Sequence, residues 1–132
     1  MAKDFGGMDI PFKASEDMST HQYRFVVQKN DTEVELMNAA TDIPIGVLQN
    51  APEDGETAIV RVAGISKLVM NAAVAVEALL KAEYVSTSDN GKGDAADTEG
   101  DIVRGLCIEA SGAEDDVGAI LLCLHEMSVP AG

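Results

Sequence analysis

The sequence contains no tryptophan, two tyrosines and three phenylalanines in 132 residues. An aromatic core is therefore excluded, and packing has to come from Val, Ile, Leu, Ala and Met. Cations are scarce as well: nine Lys and Arg stand against 23 Asp and Glu, a formal net charge of −14. That balance excludes ordinary binding to a phosphate backbone, which requires neutralising cations, and argues against docking on anionic lipid. No apolar run approaches the ~20 residues needed to span a bilayer. The start, Met1-Ala2-Lys3-Asp4-Phe5-Gly6-Gly7, lacks the basic and apolar stretches of a signal peptide, so the two cysteines are expected to be reduced thiols. What is present is globular: 46% hydrophobic and 24% charged residues. A chain of this size buries roughly two-thirds of its unfolded surface, enough for one core without staples. The expectation is a soluble acidic single domain made in the cytoplasm, with no nucleic acid, membrane or small-molecule substrate as partner.

The charge is segmental. No cation occurs between Lys29 and Arg61, where Asp31, Glu33, Glu35, Asp42, Glu53, Asp54 and Glu56 accumulate, and none follows Arg104. Solvated loops and outward strand faces explain such clusters; a cationic surface meeting an acidic partner is the sharper alternative. Either way, self-repulsion opposes every contact between copies.

Residues 1–20 carry no sustained period and read as an extended N-terminal arm, leaving 21–132 as the folded domain. Tyr23 to Gln28 and Glu33 to Met37, joined through Asn30-Asp31, give a hairpin signal. Pro44 opens the next strand, Pro52-Glu53-Asp54-Gly55 is a turn, and Gly64 marks a bulge or bend between Thr57–Ala63 and Ile65–Met70. Val74 to Ala82 has the Ala and Leu content of a short helix. Ser86 to Asp101 reads as a loop, and Ile102–Ala110 and Val117–Leu124 as closing strands around an acidic turn. The fold class expected is mainly β: a small single-domain β-barrel or sandwich with at most one short helix. Its candidate core is Phe25, Val27, Leu36, Ile45, Val47, Ile59, Val62, Ile65, Leu68, Ile102, Leu106, Ile108, Ile120 and Leu122.

Catalytic signatures are missing. His21 and His125 sit in no recognisable motif, and no G-x-S-x-G is present. Cys123 and His125, two apart, with Cys107 on the preceding strand, fall short of a zinc site's four ligands in paired spacing. Buried small hydrophobes are the better reading of these cysteines. The acidic stretch from Asp89 to Asp101 lacks EF-hand spacing, so a solvated loop is preferred over a calcium site. Gly6-Gly7 and Gly91-Lys92-Gly93 lack the strand and helix of a phosphate cradle. The chain reads as an interaction protein with no catalytic residues, metal or cofactor.

Three segments carry a resemblance. They are Tyr23-Arg24-Phe25-Val26 following Pro11-Phe12-Lys13-Ala14; Pro44 to Pro52 running through Gly55-Glu56 into Ala58–Gly64; and Gly100-Asp101-Ile102-Val103-Arg104-Gly105-Leu106. With these, residues Phe12 to Leu124 resemble the head-decoration, or capsid cement, proteins of tailed bacteriophages. The resemblance implies a non-enzymatic β-rich virion protein on the outer capsid surface of an expanded icosahedral head. Its partners would be the major capsid protein and two further copies of itself in a homotrimer. Glu77-Ala78 departs from the Gly-Asp common in that family. On this reading Phe5, Met8, Ile10, Pro11 and Phe12 form a capsid-binding arm, mobile until it adds a strand to the edge of a shell subunit or of a neighbouring copy; the alternative is an arm that packs back across its own domain. Arg24, Arg61, Lys67 and Arg104 are candidates for the subunit interface, where contact surfaces must be apolar or hold the scarce cations. The alternative is an acidic cellular β-barrel module that binds a metal or small ligand.

Overall fold

A computed structural model describes residues 7–84, 86 and 88–128, with side chains as far as 122. Among them there are nine strands and no helix. In chain order these are β1 (Gly7–Ala14), β2 (Phe25–Gln28), β3 (Glu33–Leu36), β4 (Gly46–Leu48) and β5 (Thr57–Val69). After them come β6 (Leu79–Glu83), β7 (Lys92–Ala95), β8 (Ile102–Glu109) and β9 (Val117–Ser128). They form one sheet in the order β1-β3-β2-β4-β5-β9-β8-β6-β7, with β1 also paired to β5.

The expected hairpin is β2–β3, with Val26 opposite Leu36 and Gln28 opposite Val34. Its turn is held by Asn30, whose Oδ1 accepts from the backbone N–H groups of Thr32 and Glu33, each at 3.0 Å. Strand β5 is long enough to serve two halves of the molecule. Residues 57–63 pair with β1 and β4, and 65–69 pair with β9. Gly64 stands between the halves with φ of +95°, where a side chain would be strained, so the bend sits on the glycine that marks it in the sequence.

Pairing of β1 with both β5 and β3 closes a circuit of five strands, β1-β3-β2-β4-β5. The ladders are short and the whole is not a clear barrel. Inside the circuit lie Ala14, Met18, Val26, Val34, Leu48, Ala58 and Val60. A second core, Phe25, Met37, Val47, Leu68, Met70, Val74, Leu80, Cys107 and Ile120, lies between the circuit and the β5-β9-β8-β6 half. Strands β2 and β4 thus bury both faces. Gly46 in β4 is required for this: a Cβ there would run into the carbonyl oxygen of Arg61.

Three expectations are corrected, and the extended N-terminal segment lies on its own domain: from Gly7 it is a strand of the sheet, with Ile10 opposite Val60 and Phe12 opposite Ala58. The segment Val74 to Ala82 is not helical. Glu77 has φ of +71°, and its N–H bonds Cys107 O while Cys107 N bonds Ala78 O. A run this short cannot stabilise an isolated helix, whereas β8 offers backbone partners at once. The stretch 86–101 contains β7, which pairs with β6. Finally, several core residues have the opposite phase: Val60, Val103 and Cys107 are buried, while Ile59, Ile102, Leu106 and Ile108 are half-buried. Both phases of these strands are apolar, so alternation alone does not choose the inward face.

Candidate functional site

The arm residues come first. Phe5 lies outside the described residues. Met8 and Pro11 are exposed, and Ile10 and Phe12 are half-buried. Strand β1 meets β5 along one edge, and its other edge meets β3 only at Lys13 and Ala14. Residues 7–12 therefore present an edge with no described strand on it. Pro11 on such an edge gives up no ladder hydrogen bond.

The four candidate interface cations are not brought together. Arg61 is 9% exposed. Its Nε and Nη2 donate to the two carboxylate oxygens of Asp9 at 2.7 and 3.0 Å, and its Nη1 donates to Ile65 O at 3.1 Å. Arg104 is 5% exposed, in the wall of a cleft. Arg24 reaches across to Ser88 O at 2.9 Å, and burial holds its pKa below the ordinary arginine value against the pull of Asp115 and Asp89. Lys67 alone of the four stands on the outer face of β5, its Nζ 5.4 Å from the centre of the Tyr23 ring.

Two clefts open beside these residues. Strands β6 and β8 pair only at Leu79 with Leu106 and Leu80 with Gly105, then diverge, β6 toward β7 and β8 toward β9. The fork holds about 600 Å³, lined by Ile43, Lys81, Glu83, Tyr84, Asp101 and Arg104 among others. Lys81 Nζ bridges it to Asp101 at 3.3 Å. Burial pushes the Glu83 carboxyl above its ordinary pKa, and a hydrogen bond with Asp94 adds to the rise.

The second cleft, about 540 Å³, is floored by Lys92. The sequence places this lysine in a stretch that reads as a solvated loop. It is 3% exposed, with Nζ 2.6 Å from Asp115 and 2.9 Å from Asp89. Burial opposes its charge, but hydrogen bonds to Asp115 and Asp89 together outweigh that and raise its pKa. Asp89 lies three residues before Lys92, but the lysine's shorter contact, to Asp115, comes from a turn more than twenty residues on, and no local signal in the sequence marks that pairing.

His21 is a structural group. Asn90 Nδ2 donates to Met37 O at 3.1 Å, which leaves Asn90 Oδ1 as acceptor for His21 Nε2 at 2.9 Å. The ring is then a neutral Nε2–H tautomer accepting from Thr20 at Nδ1, and burial lowers its pKa. Cys107 is buried in the second core, and burial raises its thiol pKa. Cys123 and His125 lie beyond the described side chains. Among the described residues no group of three or more His, Cys, Asp or Glu is placed to hold a metal ion. The geometry offers surfaces, edges and ion pairs.

The fold has a counterpart. A solved structure, the head fiber gp8.5 N base of bacteriophage phi29, matches with a TM-score of 0.63, over 92% of this chain and 98% of that one, at 16% identity. At that identity the likeness is one of fold, and it spans nearly all of both chains. No family model and no curated protein sequence matches.

Proposed function

We propose that this chain is a non-enzymatic structural protein of a phage virion, a decoration protein that stabilises the outer surface of an expanded head. The observation that carries the reading is the near-complete match of its fold to the base of a phage head fiber. The sequence resemblance to capsid cement proteins points the same way. A charge of −14 suits a surface turned to solvent, away from packaged DNA. The partners are the major capsid protein and further copies of this chain in a homotrimer. The shell contact is the edge of β1, with exposed Met8 and half-buried Ile10 and Phe12 beside it. A strand of the shell added there gains backbone hydrogen bonds for affinity, and the side chains supply selectivity.

Particle association tests this. Heads purified on a density gradient should carry the chain in hundreds of copies, and purified protein added to heads lacking it should restore them to that level and raise their resistance to heat. A chain that stays soluble while heads form normally would sink the reading.

A further inference from the structure

The outer face of the β6-β8-β9-β5 half is unusually apolar. Leu79 is opposite Leu106, Leu106 is opposite Leu121, and Leu121 is opposite Ile65. Residues opposite one another in an antiparallel ladder share a face, so these four make one continuous row across four neighbouring strands. It lies on the side away from the core, since Leu80, Cys107 and Ile120, their chain neighbours, point inward. Leu79 and Leu121 are 42% and 44% exposed. A soluble surface scatters single apolar residues; a row in register is the form an interface takes.

Charge identifies the occupant. The next row along the same face is Glu109, Ala119 and Lys67, with Glu109 opposite Ala119 and Ala119 opposite Lys67. A carboxylate and an ammonium thus stand at opposite ends of one row, two strands apart. That row is charge-balanced, with buried Ala119 between its two charges, on a chain that carries −14 in all. Net repulsion opposes every approach between two copies, and it is least where the surface that makes contact is itself charge-balanced. A copy bearing the same row supplies a carboxylate for Lys67 and an ammonium for Glu109 while covering the leucines.

We propose that the Leu79–Leu106–Leu121–Ile65 row, flanked by Lys67 and Glu109, is the surface through which copies of this chain meet. The inference rests on the self-association contained in the function proposed above, and it gives that contact a place. The footprint is modest. Four strands at ~4.8 Å spacing and about five residues of β5 span roughly 19 by 14 Å. That is well below the ~800 Å² per partner of a stable complex, so association is weak in dilute solution and grows where copies are held side by side.

Sedimentation of the full chain from micromolar to millimolar concentration, in low salt and in ~0.5 M salt, tests it. The expected result is reversible association that strengthens with salt, because salt screens the overall repulsion while leaving the apolar contact. Leu121→Glu should weaken association roughly tenfold to a hundredfold, the equivalent of exposing one leucine, with melting unchanged. Leu121→Ser serves as a gentler second variant. Lys67→Glu should weaken association, and adding Glu109→Lys should restore it, a rescue that a foreign partner would not give. A parent chain that stays monomeric throughout, or a Leu121→Glu chain that associates like the parent, overturns the proposal. Head binding, measured alongside, separates the two readings: its absence in the parent chain sinks the decoration role and leaves the contact between copies to be judged by sedimentation.

Discussion

Asp9 on β1 and Arg61 on β5 form a two-pronged ion pair at 2.7 and 3.0 Å, just past the bulge between Met8 and Asp9. The arginine is buried and the aspartate a third exposed, so the pair is only partly desolvated. Its geometry pins the first strand at the point where the β1–β5 ladder turns irregular. Asp9→Ala leaves the Arg61 guanidinium short of its acceptor and should cost about 1–2 kcal/mol. Thermal melting reads this as a drop of several degrees. An unchanged melting temperature would mean that β1 is held by its ladder alone.

Removal of residues 1–11 follows from the same relationship. The deletion takes away most of the β1–β5 ladder together with Asp9, and opens the five-strand circuit around Val60 and Leu48. The truncated chain should therefore melt well below the full one and expose its first core to a dye such as ANS. Equal melting of the two chains would return residues 7–11 to the status of an independent arm.

The inward phase of the strands is open to direct measurement. Leu48 is fully buried inside the circuit, and Ile59 is only half-buried on the other side of β5. Leu48→Ala should cost about 2–5 kcal/mol, and Ile59→Ala clearly less. Denaturant unfolding of both variants gives the comparison. A larger loss at Ile59 would reverse the assignment of faces.

These cases show what was legible in the sequence. The hairpin around Asn30, the bend at Gly64 and the closing pair β8–β9 each announce themselves locally, through an Asx turn, a glycine or a long apolar run. The phase of β5 and β8 does not, since Ile59 and Val60, or Leu106 and Cys107, are equally apolar, and only the position of the second core decides. Strand β1 has no local signal, because its partners lie some fifty residues on in β5. The outer apolar row is written in the sequence as isolated leucines and becomes a surface only through the register of four strands. Arg24, Arg61 and Arg104 look available in the sequence, but Arg61 is held on Asp9, Arg24 reaches Ser88 O, and Arg104 is buried in a cleft wall.

Acid should loosen the chain through His21. Its folded pKa is lowered from 6.5, chiefly by burial, so the unfolded chain takes up the proton first. Stability from this group is fully present above 6.5 and is lost as pH falls through the lowered folded value. Melting temperature should decline from about pH 7 to pH 5 in the parent. His21→Gln keeps a donor toward Asn90 Oδ1 and removes the titration, so its profile over that window should be flatter. Parallel profiles would exclude His21 as the source.

The Lys92 clamp gives the remaining prediction. Lys92 on β7 ties the 88–91 turn, through Asp89, to the 111–116 turn, through Asp115. Asp115 itself has φ of +70°, and backbone bonds from Asp115 N to Met70 O and from Met70 N to Asp116 O fix the same turn to β5. The hydrogen bond from Lys92 holds the Asp115 carboxyl below its ordinary pKa of 3.8, while Lys92 is held above 10.5. Stability from Asp115 is thus present above 3.8 and lost as pH falls through its lowered folded value. Stability from Lys92 is present below 10.5 and lost as pH rises through its raised one. Between those limits the clamp is closed and insensitive to pH. Lys92→Met keeps the buried stem but removes the ammonium that bonds both carboxylates, leaving Arg24 as the cation acting on them. Hydrogen exchange at the amides of Met70 and Asp115 should then accelerate at neutral pH. Exchange at those amides matching the parent at neutral pH would show that the backbone bonds hold the turn unaided.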